Sequence, residues 1–126
     1  MKSKLISVNN LKVSSENKKL VKGISFDLHK NEILGIIGES GSGKSLTALS
    51  ILSLIKFKGL NQSGEIFYAD ELIDKKNQDN IIRNEISIIF QDPMSYLNPS
   101  MKCGEQILEA LKIKDKNQVI SLINKV

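Results

Sequence analysis

An eight-residue run, Gly38-Glu39-Ser40-Gly41-Ser42-Gly43-Lys44-Ser45, constrains this chain more than any other feature. It matches the pattern G-x-x-x-x-G-K-[ST], and each position has a physical reason. Glycines permit backbone angles that a side chain would block, so successive N–H groups can turn inward around phosphate oxygens. The run feeds a helix beginning near Lys44, where unpaired N–H groups and the helix dipole favour an anion. Lys44 supplies a mobile positive charge for β- and γ-phosphates. Ser45 offers a hydroxyl to Mg²⁺, an ion that keeps water and phosphate as most of its ligands. The plain alternative is a Gly/Ser turn that happens to precede a lysine. A random chain of this size matches in roughly one case in 300, and the flanking context decides against chance.

That context is a buried strand followed by a helix. Ile33 to Ile37 is an apolar run around Gly35, which predicts a strand buried on both faces. Ser45 to Ile55 carries leucine, isoleucine and alanine at helical spacing. Upstream, Leu5 to Val13 alternates loosely, and Leu20 to Leu28 places Ile24, Phe26 and Leu28 on one face with Ser25 and Asp27 on the other. These two segments predict an antiparallel ribbon. Downstream, Asn61-Gln62-Ser63-Gly64 reads as a turn before a short strand over Glu65 to Tyr68. Asp74 to Asn80 is polar, a loop or the start of a helix, and Ile86 to Phe90 predicts a second buried strand. Asp92 to Pro99 holds both prolines, so it can be neither regular helix nor central strand. Glu105 to Ile113 and Gln118 to Val126 read as helices. The alternation of strands and helices predicts an α/β fold.

Charge narrows the partners. The net charge of +4 comes from scattered lysines, Arg83 is the only arginine, and aromatic residues make up 5%. A nucleic-acid reader would cluster arginine with interleaved aromatics, so the lysines are read as solvated surface and no nucleic-acid partner is expected. Cys103 is the only cysteine, which excludes an internal disulfide. The longest apolar stretch, Ala48 to Ile55, is too short to cross a bilayer, and the N-terminus lacks the apolar core of a secretory signal. A cytoplasmic location is expected.

A second landmark is Ile86-Ser87-Ile88-Ile89-Phe90-Gln91-Asp92-Pro93-Met94-Ser95-Tyr96-Leu97-Asn98-Pro99. It resembles the Q-loop segment of ABC-transporter ATPases. The wording F-Q-D-P-M-x-x-L-N-P, combined with G-E-S-G-S-G-K-S and the later Gly104-Glu105-Gln106-Ile107, is similar to the dipeptide, oligopeptide and nickel importer branch. The resemblance runs from about Leu5 to the last helix. It implies a P-loop NTPase fold of the ABC type, with an N-terminal antiparallel β ribbon and the start of a helical subdomain. Residues 1–91 would be the ribbon and P-loop core, and residues 92–126 the Q-loop and the beginning of the helical part.

The same resemblance implies ATP and Mg²⁺ as cofactors. Gly38, Glu39, Ser40, Gly41, Ser42, Gly43, Lys44, Ser45 and Gln91 would bind the nucleotide, with Ser45 and Gln91 serving the metal. A neutral amide suits Gln91, since its oxygen can meet a cation while its nitrogen orients water. Asp92 to Met101 would contact transmembrane permease subunits, a second ABC ATPase subunit would complete a dimer, and the protein would sit on the inner face of the cell membrane. The implied function is energising the import of peptides, or nickel, by ATP hydrolysis.

The chain departs from the family pattern in three ways. The aromatic that stacks on adenine near the end of the first strand is replaced by Ser14 and Ser15, which predicts weaker or less base-selective binding. Asp70 stands where a turn glycine is common, a substitution that left-handed backbone tolerates in Asp. No L-S-G-G-Q-like signature, no apolar strand ending in Asp-Glu and no switch histidine occurs in Cys103 to Val126; His29, the only histidine, reads as a surface turn residue. The chain is therefore expected to be truncated, to bind ATP without efficient turnover, and to leave its two buried-type strands without neighbours. The alternatives are a non-catalytic nucleotide-binding fragment and an ABC ATPase acting on DNA.

Overall fold

The computed structural model describes residues 3–55, 59–111 and 115–125. It divides into two compact units, Met1–Ser87 and Ile88–Val126, each treated on its own. The first unit is built on a four-stranded antiparallel sheet in the order β2-β1-β3-β4. Its strands are β1 (Lys4–Ser14), β2 (Lys19–His29), β3 (Asn61–Tyr68) and β4 (Glu71–Leu72). Helices α1 (Lys44–Ile51) and α2 (Gln78–Asn84) complete it.

The loose alternation of β1 has a structural cause. Val8, Leu11 and Val13 are all buried, so the inward spacing is three residues and then two. A strict period of two would turn Leu11 outward. A bulge at Asn9 and Asn10 restores it: Asn10 has φ 48, and the pairing with both neighbours shifts there. Gly64 on β3 packs against this bulge with φ +102, and a Cβ added there would lie 2.6 Å from the Asn10 carbonyl oxygen. Residues 61–64 accordingly belong to a strand and not to the expected turn; the glycine answers to the neighbouring bulge.

Val8, Leu11, Val13, Val21, Ile55 and Ile66 form the core, with Leu46, Leu49 and Ile51 of α1 packed against it. The outer face of β2 carries Asp27, which accepts a hydrogen bond from Ser7 Oγ at 2.6 Å and pairs with Lys4 at 2.7 Å. The Lys4 ammonium first, and the Ser7 hydroxyl second, hold the Asp27 carboxyl below its ordinary range. Ala69 and Asp70 connect β3 to β4 with φ 48 and 66, so Asp70 adopts the left-handed geometry anticipated for it. Tyr68 donates to Glu85 at 3.1 Å, tying the end of α2 to the sheet. Burial, and then the Glu85 carboxylate, push its phenol above the ordinary value.

Two expectations are corrected. Residues 33–37 and 86–90 are not strands: both run without ladder partners, and Ile33, Ile37 and Ile89 are 99%, 96% and 93% exposed. A strand buried on both faces needs neighbours to take its backbone N–H and C=O groups. The four strands of the sheet pair only with one another, and no described segment serves 33–37 or 86–90. This agrees with the expectation that both would stand without neighbours. The helix expected over 45–55 is α1, which ends at Ile51; Ser53 has φ 55.

In the second unit, Pro93–Tyr96 forms a 3-10 turn, in keeping with the absence of regular structure expected from the prolines. Helices α3 (Cys103–Leu111) and α4 (Lys116–Ile123) follow, in contact with each other. The expected helix ends at Ile113 and Val126 lie outside the described residues. Phe90 and Tyr96 stack with centroids 3.7 Å apart. Gln106 fastens the loop before α3. Its Nε2 donates to the carbonyls of Asn98 at 3.0 Å and Met101 at 2.9 Å, and its Oε1 accepts from the Asn98 N–H at 2.9 Å.

Candidate functional site

Residues 38–45 form a loop that enters α1 directly. Gly43 caps the helix with φ 97, and a Cβ there would lie 3.0 Å from Val21 Cγ2 and 3.2 Å from the Leu20 carbonyl oxygen. Only glycine fits a left-handed position pressed against β2. The cap residue, a glycine, has no side chain to accept from the first N–H groups of the helix. Thr47 donates from Oγ1 to the Gly43 carbonyl at 3.0 Å, and its N–H reaches the same oxygen at 2.9 Å, fixing the first turn.

Lys44 folds back over the loop. Its ammonium donates to the carbonyls of Gly38 at 2.8 Å and Glu39 at 2.6 Å, with Ser42 Oγ at 3.5 Å. The Ser42 N–H closes the turn onto the Glu39 carbonyl at 3.2 Å. Ser45 is exposed in the first turn of α1. A cavity of about 580 Å³ opens over this loop, within the usual size range of small-molecule sites. Its walls come from the loop, from Ile36 and Ile37, and from residues 18–22 and Ile24 at the start of β2.

The structure thus gathers Gly38, Gly41, Ser42, Gly43 and Lys44 around one cavity, with Glu39, Ser40 and Ser45 in the same loop and helix start. Gln91 lies in the second unit, exposed, beside the Phe90–Tyr96 stack. His29 pairs with Glu32, its Nδ1 2.9 Å from Glu32 Oε2, at the end of β2. Sequence reasoning missed Lys18, Lys19 and Lys22. Read as solvated surface, they are exposed and yet line the cavity beside Lys44. Their place at the start of β2 was the available signal, but joining it to the loop needs the Val21–Gly43 contact, which sequence does not show.

Among the described residues no group of three or more His, Cys, Asp and Glu side chains could hold a metal. Mg²⁺ does not need one, because it is served by one or two protein oxygens together with phosphate and water, and the exposed Ser45 hydroxyl fits that role. Among the described residues, no helix is long and apolar enough to cross a membrane.

The family model described as ABC transporter matches residues 21–126. The oligopeptide transport ATP-binding protein OppD of Haemophilus influenzae is 47% identical over 95 residues, covering 74% of this chain and 29% of that protein. OppD of Bacillus subtilis is 42% identical over 117 residues, covering 86% and 33%. The dipeptide transport ATP-binding protein DppD of Escherichia coli is 36% identical over 136 aligned positions, covering 97% and 42%. The chain spans between 29% and 42% of the length of these relatives.

Proposed function

The chain belongs to the ABC transporter family, and on that premise we propose that it is the ATP-binding part of an ATPase subunit that energises peptide import. The observation that carries this reading is the loop of residues 38–45, closed by Lys44 and seated on β2 by Gly43. In this proposal the N–H groups at the start of α1 and the Lys44 ammonium receive the nucleotide's phosphates. Lys44 exchanges its bonds to the Gly38 and Glu39 carbonyls for phosphate oxygens, a charge-assisted contact that outweighs a neutral carbonyl. Ser45 would hold Mg²⁺, which supplies charge neutralisation on the phosphates when bound. Gln91 is a further candidate for the ion on its sequence motif alone. Gly38 to Ser45 and Gln91 are the proposed nucleotide-binding residues.

Peptide transport is supported by the relatives, which are oligopeptide and dipeptide transport ATP-binding proteins. We assign residues 1–91 to the ribbon and phosphate-loop core, and residues 92–126 to the Q-loop and the start of a helical subdomain. The loop of residues 92–101, fastened by Gln106, is the proposed contact with transmembrane permease subunits. A second ATPase subunit would complete the assembly, on the inner face of the cell membrane. The acidic strand and signature motif do not occur in this sequence, so the chain by itself is proposed to bind ATP without efficient turnover.

The test is co-purification of the tagged chain with membrane permease subunits, together with ATP binding by the chain and by Lys44→Ala. The proposal predicts capture of permease subunits by the unaltered protein and loss of ATP binding in the variant. ATP binding that is indifferent to Lys44, or captured material without permease subunits, would refute it.

A further inference from the structure

The cavity over residues 38–45 has walls of one charge sign. Lys18, Lys19 and Lys22 line it from the β2 side and Lys44 from α1, while no carboxylate and no aromatic ring is among the described residues that line it. The ion pairs among the described residues are Lys4–Asp27 and His29–Glu32, so none of these four lysines spends its charge on an acidic partner there. Pairing of β1 with β2 also sets Lys12 directly opposite Lys22, and like charges so placed weaken a sheet. An anion bound in the cavity beside Lys22 offsets that repulsion, which gives the arrangement a physical reason.

The same walls offer little to a nucleobase. Stacking on an aromatic ring or guanidinium plane is how a base is usually held without reading its edge. Adenine is read by the paired donor and acceptor of an amide side chain, whereas ammonium donors suit the acceptors of guanine at least as well. Among the described residues, the lining side chains present ammonium groups and no ring, amide or guanidinium.

We propose that this site selects its ligand by polyphosphate charge and not by base, with Lys18, Lys19 and Lys22 as the residues that set this preference. It takes nucleoside triphosphates of adenine, guanine and cytosine alike, and inorganic tripolyphosphate competes with them. The proposal rests on the reading of residues 38–45 as a phosphate seat. Because the contacts are exposed ion pairs, affinity falls as ionic strength rises.

The test is titration calorimetry of the chain with ATP, GTP, CTP and inorganic tripolyphosphate, each with Mg²⁺, repeated on a Lys18→Gln/Lys22→Gln variant. The three nucleotides are expected to bind within about 3-fold of one another, since no stacking or edge contact separates them. The variant is expected to weaken all four ligands by a similar factor, about 5–10-fold for two exposed ion pairs. Its melting temperature without ligand should not fall, since the Lys12–Lys22 repulsion is gone. ATP bound more than about 10-fold tighter than GTP would overturn the proposal and leave the phosphate seat standing, because such a ratio requires base contacts. Lysine substitutions without effect on any ligand would overturn it as well. Failure of all four ligands to bind would refute the phosphate seat itself.

Discussion

Replacing Gly64 with alanine probes the device that sets the register of the sheet. Gly64 has φ +102, and an added Cβ would meet the Asn10 carbonyl oxygen at 2.6 Å, the Asn10 carbonyl carbon at 2.8 Å and the Asn9 carbonyl oxygen at 2.8 Å. All three atoms are backbone in the β1 bulge, so no rotamer change can relieve the contact. Left-handed backbone costs an L residue about 1–2 kcal/mol, and forced overpacking about 1–3 kcal/mol more. Gly64→Ala should therefore lose about 2–5 kcal/mol, a large share of a typical domain's stability. Gly41→Ala is the internal control: φ is +80, but nothing lies within 4 Å of the added atom, so only the backbone cost of about 1–2 kcal/mol applies. Urea unfolding of the chain followed by far-UV circular dichroism reads both. A Gly64→Ala midpoint no lower than that of Gly41→Ala would refute the claim that the bulge makes glycine obligatory at position 64.

Two further outcomes are expected. Asp27 has its carboxyl held below the ordinary range by Lys4 and Ser7, so its stabilising contribution is present above the unfolded value near pH 4 and is lost as pH falls through the lower folded one. Unfolding measured between pH 5 and 2 should show this acid loss, and Asp27→Asn should flatten it; an unchanged profile would count against the Lys4–Asp27–Ser7 assignment. In the second unit, Gln106→Ala removes the acceptor of the Asn98 N–H, a bond worth about 1 kcal/mol, so exchange of that amide should quicken roughly 5-fold. Exchange that stays at its original rate would mean that something other than Gln106 holds the loop.

Local pattern made some parts of this fold legible and hid others. The 38–45 motif could be read because its requirements are local: glycines, a lysine and a helix start within eight residues. The outward Ser25 and Asp27 of β2 were equally plain, because alternation is a local signal. Residues 33–37 and 86–90 carry the apolar runs of buried strands, but a run of isoleucines cannot say whether a partner strand will be there. The turn expected at 61–64 failed because Gly64 serves a bulge more than fifty residues upstream. Likewise Gln106 stood out only as part of a short motif; its hold on Asn98, eight residues before it, is a tertiary fact. The cavity lysines needed the same kind of knowledge, since the approach of Gly43 to Leu20 and Val21 of β2 is a tertiary contact.

Binding of ATP by the purified chain, with Lys44→Ala alongside, tests the central claim most directly. The phosphate-seat account predicts Mg²⁺-dependent binding without steady turnover. It also predicts that Lys44→Ala weakens binding by roughly 10–150-fold, the worth of a charged hydrogen bond of about 1.5–3 kcal/mol, while circular dichroism shows the fold retained. Equal affinity in the two proteins would contradict the assignment of residues 38–45 as the seat of the phosphates.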